Sequence, residues 1–146
     1  MNALRILLLM LELLVSRGDR DLQFRTELAA AIVTVTDDPL EQDILAALPR
    51  WESSYRRDVA ECRRRGPQGE LTAWQILPRS DEERSRLCAS LEGDARVALA
   101  RVRESLAACR ALPLTERLAV YARGRCSSIE GRTLSRIRFT GVGVDR

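Results

Sequence analysis

The sequence predicts a mainly α single domain, and three observations carry that prediction. Apolar residues recur at helical spacing over most of the chain. Capping and helix-breaking residues punctuate the pattern at intervals suited to short helices. Only residues 63–78 lose the period, which predicts a short irregular or β-hairpin insertion. The length of 146 residues suits one domain, and no internal repeat, low-complexity tract or linker divides it.

Residues 4–15 form an apolar run with Arg5 near its start and Glu12 near its end. Two readings stand: a signal-peptide core, or a first helix closed by Gly18. The run is too short to span a bilayer. Residues 20–36 carry Leu22, Leu28, Ala29, Ile32 and Val35 on a helical stripe, broken by Asp37-Asp38-Pro39. Asp38 then reads as an N-cap with Pro39 in the first turn. The helix it opens passes Ile44, Leu45 and Leu48 towards Trp51, and Pro49 should kink it or start a new turn. Gly66-Pro67 and Gly69 mark a loop. Ser80 and Glu83 make a capping box for a helix expected to reach Leu91, where Gly93-Asp94 should stop it and cap the next. Ala95, Ala98, Leu99, Val102 and Leu106 form the clearest stripe of the chain. A helix over residues 113–123 should close at Gly124, and Ser127 with Glu130 would cap a last one.

Composition narrows the chemistry. With 31% charged and 45% hydrophobic residues, the chain is neither a disordered tail nor a polytopic membrane protein. It has no His, which removes imidazole metal ligands and every His-activated nucleophile. All 24 basic residues are Arg, so Schiff-base chemistry on Lys is gone too. Carboxylate, Tyr and thiolate chemistry remain. A net charge of +3 permits polyanion binding without demanding it, and no stacking-aromatic pattern points to nucleic acid. The Gly-spaced segment over residues 140–144 is no phosphate loop. Cys62, Cys88, Cys109 and Cys126 include no close pair, so zinc is not expected. Two disulfides in an oxidising compartment, periplasmic or extracellular, fit them better.

One stretch invites a catalytic reading. Trp51-Glu52-Ser53-Ser54-Tyr55 sets a carboxylate between aromatics near a helix end. A desolvated carboxyl holds its proton to higher pH, as a general acid requires. Arg56-Arg57 and Arg63-Arg64-Arg65 form a basic cluster nearby.

Three segments, taken in order, resemble the lysozyme-like superfamily in its lytic transglycosylase and goose-type lysozyme branch. That family shows E-S at a helix end, then G-A-x-G-L-M-Q, then Y-N-A-G closing a later helix. Here Glu52-Ser53 matches the first, residues 69–75 (Gly-Glu-Leu-Thr-Ala-Trp-Gln) resemble the second, and residues 121–124 (Tyr-Ala-Arg-Gly) resemble the third. The likeness covers about residues 39–126. Thr72 stands where the family has its second Gly, Trp74 where it has Met, and Ala122 where it has Asn.

The resemblance implies a lysozyme-like fold and cleavage of the β-1,4 bond between N-acetylmuramic acid and N-acetylglucosamine in peptidoglycan. Glu52 would be the acid/base, yielding a 1,6-anhydro sugar. Ser53 would lie beside the sugar, Gln75 would hydrogen-bond the N-acetyl group or the backbone of the glycan, and Tyr121 would approach the Glu52 carboxyl. Trp74 and Glu70 are expected to border the substrate. No cofactor or metal is expected, and the partner is the glycan strand, met by a monomer. A lysozyme-type hydrolase would need a second carboxylate, for which Glu70 and Asp58 lie nearest in sequence. A non-catalytic helical module binding glycan or a protein partner is the remaining alternative. Of the three connectivities open to four cysteines, we expect Cys62–Cys88 and Cys109–Cys126. The first would tie the loop after the Glu52 helix to the helix beyond Trp74, and the second would fasten the last turns around Tyr121.

Overall fold

Helix α1, Leu22–Val35, buries Phe24, Leu28, Ala31 and Ile32, the i, i+4, i+7, i+8 stripe of an amphipathic helix. Helix α2, Pro39–Ser53, packs against it. Asp38 opens α2 as expected: its Oδ1 accepts the Glu41 N–H at 2.9 Å, and Pro39 fills a position that needs no donor. Residues 44–48 are buried all round, so α2 is the centre of the core rather than a one-faced helix. The structure is a computed structural model and describes residues 4–6, 22–53 and 55–126. Most of the apolar run over 4–15, Gly18, Ser127 with Glu130 and the 140–144 segment lie outside the described residues. Residues 4–6 are helical, with Ile6 buried and Arg5 paired to Asp43 at 2.8 Å.

The chain is mainly α, and its described residues divide into two compact units, within Met1–Ala98 and Leu99–Arg146. In the first, α2 is followed by the short helix α3, Arg57–Ala60, and by the irregular insertion. Of the two forms expected there, irregular or β-hairpin, the insertion is irregular with one antiparallel bridge. Leu71 N–H donates to the Ile76 carbonyl at 2.9 Å and Ile76 N–H returns to Leu71 at 2.7 Å, closing a turn over residues 72–75. Helix α4, Asp81–Arg86, is capped by Ser80, whose hydroxyl accepts the Glu83 N–H at 3.1 Å. It stops at Arg86, short of the Leu91 expected from sequence. Leu87 turns extended, and Cys88 takes φ 71° while bonded to Cys62. Helix α5, Leu91–Ala108, starts earlier than expected, with Ser90 accepting the Gly93 N–H at 3.0 Å. Gly93-Asp94 therefore sits inside the first turn and stops nothing.

The boundary between units falls within α5, whose later residues Leu99, Val102 and Ser105 are buried. The second unit adds a 3-10 turn, Leu114–Glu116, and helix α6, Ala119–Arg123, in place of one continuous helix. Gly124 ends α6 at φ 73°, a left-handed cap natural to Gly. Ser105 links the pieces. Its hydroxyl donates to the Arg117 carbonyl at 2.7 Å and accepts the Tyr121 N–H at 3.1 Å.

Cys62 bonds Cys88 and Cys109 bonds Cys126, with Cα–Cα distances of 5.9 and 5.4 Å, the two pairings expected. Each closes a loop whose lost freedom in the unfolded chain stabilises the fold by about 3 kcal/mol. Such bonds persist in oxidising compartments. Among the described residues, no helix is long and apolar enough to cross a membrane.

Candidate functional site

A groove of about 410 Å³ opens in the first unit between the end of α2 and the loop preceding the Leu71–Ile76 bridge. Glu52, Ser53, Arg64, Arg65, Gly66 and Gln75 line it, with Arg56, Val59 and Pro67. Glu52 and Gln75, 23 residues apart in sequence, thus meet there, because the insertion is folded back onto α2.

Pro49 explains the anchoring. A proline has no N–H to give the carbonyl four residues back, so the Leu45 carbonyl lacks its helical donor. Trp74 fills that vacancy, donating its indole N–H to Leu45 at 2.9 Å. Tyr55 adds a second tie, its hydroxyl donating to the Ala46 carbonyl at 2.6 Å. Trp74 is fully buried, so its expected place beside the substrate is corrected: it lies in the core beneath the insertion and offers no face to a sugar.

The turn carried by Trp74 is strained. Thr72 adopts φ 71° and Gln75 φ 50°, a region in which β-branched residues are rare. Thr72 repays part of that strain, its Oγ1 accepting the Trp74 N–H at 3.3 Å. A Gly at this place would reach the same φ freely. Gln75 donates its Nε2 to the Thr72 carbonyl at 3.0 Å, which fixes the amide and leaves Oε1 as its remaining polar end.

Glu52 is exposed at the groove, yet its pKa lies above the ordinary carboxyl value. Desolvation by the groove walls is the larger cause, and the neighbouring charge of Glu70 is the second. Glu70 is held in turn, accepting the Gln68 N–H at 2.8 Å. Gly66 lies against both Glu70 and Gln75: a Cβ there would stand 2.7 Å from Gln75 Oε1 and closer still to Glu70. Gly66 thus makes the room these two polar groups occupy, a role no motif announced.

Ser53 reaches the groove but is largely buried, its hydroxyl donating to the Pro49 carbonyl at 2.9 Å. It supports the helix end rather than presenting a free hydroxyl. Asp58 is tied to Arg56 through two bonds of 3.0 and 2.5 Å, which pull its pKa down. An acid held ionised by a guanidinium is ill suited to share protons with Glu52. Tyr121 belongs to the second unit, half-buried on α6. The structure therefore brings Glu52, Ser53 and Gln75 to one groove with Glu70 beside them, and puts Trp74 underneath.

A second, smaller cavity of about 190 Å³ lies in the same unit, lined by Phe24, Glu27, Arg57, Glu61, Cys88 and Asp94 among others. Arg57 caps it, 3.3 Å from Glu27, 3.6 Å from Glu61 and 5.1 Å above the Phe24 ring. Asp94 is 1% exposed and accepts the Cys88 N–H at 2.8 Å. Burial pushes its pKa up to about 6. In sequence it reads only as a cap, and nothing in the pattern marks it as buried.

Among the described residues, no group of three or more His, Cys, Asp or Glu is placed to hold a metal ion. No family model, curated protein or solved structure matches the chain.

Proposed function

We propose that the Glu52 groove cleaves a β-1,4-linked N-acetylated glycan by general acid catalysis, in the manner of a lytic transglycosylase acting on peptidoglycan. The observation that carries this reading is the Glu52 carboxyl itself: reachable from the groove, and biased towards its protonated form by desolvation and by Glu70. The ordered likeness of the Glu52, Gln75 and Tyr121 segments supplies the substrate class.

In this reading the protonated Glu52 gives its proton to the glycosidic oxygen as the C1–O bond breaks. The resulting carboxylate then takes the proton of the muramyl 6-hydroxyl as that oxygen bonds C1. The product is a 1,6-anhydro sugar, and Glu52 returns to its starting state. The 6-hydroxyl belongs to the reacting ring and arrives at high effective concentration, so no water needs activation. Gln75 Oε1 would accept the N–H of the acetamido group and hold that ring.

A hydrolytic variant is favoured by one specific observation, the nearness of the Glu70 charge to Glu52. Two carboxylates at one sugar site serve a hydrolase as acid and base, or as acid and nucleophile. Digestion of purified peptidoglycan in heavy-oxygen water separates the two. Anhydro products without label support the transglycosylase reading, label at the new reducing end supports the hydrolase, and no cleavage overturns both.

A further inference from the structure

The arginines beside the groove divide into two groups. Arg56 pairs with Asp58 at 2.5 Å, Arg57 with Glu27 and Glu61, and Arg63 with Glu61 at 2.5 Å. Arg64 and Arg65 have no ion pair among the described residues, are both exposed, and both line the groove that holds Glu52. Their side chains are open, but the backbone beneath them is held. The Arg63 and Arg64 N–H groups both donate to the Asp58 carbonyl, at 2.9 and 3.2 Å, and Cys62 just before them is bonded to Cys88. Gly66 N–H continues the restraint by donating to the Glu70 carbonyl at 3.0 Å. Two guanidinium groups thus stand on a fixed loop without a salt-bridge partner among the described residues; the charge of Arg64 is felt by Asp58, as the last of the causes that lower its pKa.

We infer that Arg64 and Arg65 form a carboxylate-recognition subsite on the wall of the Glu52 groove, reading an acidic group on the glycan bound there. The inference rests on the glycan reading of the groove and names which part of the substrate these residues take. A guanidinium presents paired donors that match a carboxylate in a fork. The same groove is lined by Glu52 and by both arginines, so a ligand held by the guanidinium groups lies in the cleft that holds the carboxyl. A ligand carrying one carboxylate is drawn to the arginines, which seats its sugar in the groove that holds Glu52. Nucleic acid fits less well: among the described residues no aromatic side chain lines this groove, and strand binding relies on stacking platforms. On peptidoglycan the carboxylate has two sources, the lactyl group of the muramyl sugar and the acidic residues of the peptide stem.

Calorimetric titration of the full chain carrying Glu52→Gln, which leaves the probes intact, tests this with three ligands of equal glycan length. These are neutral chitin oligomers, stem-free muramyl chains, and muramyl chains bearing stems. At least one charged probe should bind about tenfold tighter than chitin oligomer, within the roughly 25-fold that two exposed ion pairs at up to about fivefold each allow, and added salt should erase the advantage. Stem-free chains matching stemmed ones would assign the lactyl group; an advantage confined to stemmed chains would assign the stem. The Arg64→Gln/Arg65→Gln pair should lose the advantage while keeping its affinity for chitin oligomer and its melting temperature. Arg64→Lys/Arg65→Lys, which keeps charge without the fork, should retain part of it. Equal affinity for all three probes, binding of none, or an advantage that survives in the double Gln variant would overturn the subsite. Cleavage by wild type without any charge preference sinks the subsite alone; a charge preference without cleavage sinks the enzyme reading and leaves the subsite standing.

Discussion

Trp74 donates its indole N–H to the Leu45 carbonyl at 2.9 Å, the carbonyl that Pro49 leaves without a helical donor. Two residues that look like faults, a proline inside α2 and a tryptophan in an irregular turn, answer each other. The pairing fixes the insertion that carries Glu70 and Gln75 against the helix that ends at Glu52. Because Trp74 is fully buried, both its area and its hydrogen bond count towards the fold.

Trp74→Phe should therefore destabilise by about 1–3 kcal/mol, the loss expected when a buried acceptor is left unpaired. Pro49→Ala restores a helical N–H to the Leu45 carbonyl, so the same change should be milder in that background. Urea unfolding of the four proteins gives the coupling directly. Additive losses would mean that the Leu45 carbonyl is satisfied some other way.

Much of this fold was legible because helices write their period into the chain. The Leu28–Ile32 stripe, the Asp38 cap and the Ser80 capping box each correspond to an observed feature. The helix ends around residues 86–91 were not legible, since they depend on Cys88 being drawn to Cys62 in a left-handed conformation. At the groove, the order of Glu52 and Gln75 along the chain was informative, whereas Trp74 misled. Its place in the family-like segment set it beside the substrate, whereas its indole serves the Leu45 carbonyl in the core. The Gly66 contact with Glu70 and Gln75 was invisible too, because it is a close approach in space.

Gly66→Ala tests that close approach. The added methyl meets the far ends of two flexible side chains rather than backbone, so they swing aside and the fold survives. We expect a stability change under about 1 kcal/mol, with glycan cleavage reduced by roughly 10- to 100-fold as the Glu70 and Gln75 side chains leave their positions. Unchanged cleavage would show that neither side chain's position matters to the reaction.

Asp94 gives a pH prediction for stability. Its folded pKa, raised to about 6 from 3.8, means that the native state holds a proton the unfolded chain has released. Stability linked to Asp94 is therefore greatest below about pH 4 and is lost as pH rises to about 6, staying flat above. Asp94→Asn keeps an oxygen for the Cys88 N–H and removes the charge. The variant should be more stable than wild type at pH 7 and lose that advantage at pH 4, read from melting temperatures across the range. An equal gap at both pH values would rule out a buried, titrating Asp94.

Glu70 gives the pH prediction for activity. Glu52 must be protonated to donate, so activity falls as pH rises through its pKa. Desolvation and the Glu70 charge both raise that pKa, and Glu70→Gln removes only the second. The alkaline limb of the kcat profile should then move to lower pH while staying above the ordinary Glu value of 4.5, because desolvation persists. At a pH well below the limb, where Glu52 is protonated in both proteins, kcat should be nearly unchanged. A second catalytic carboxylate behaves otherwise. If Glu70 activated water or attacked the sugar, its loss would depress kcat by about 10²–10⁴-fold at every pH, with no displacement of the limb that could restore it. The two profiles differ in shape as well as height, so a single pH series on Glu70→Gln decides whether this carboxylate tunes Glu52 or shares its chemistry.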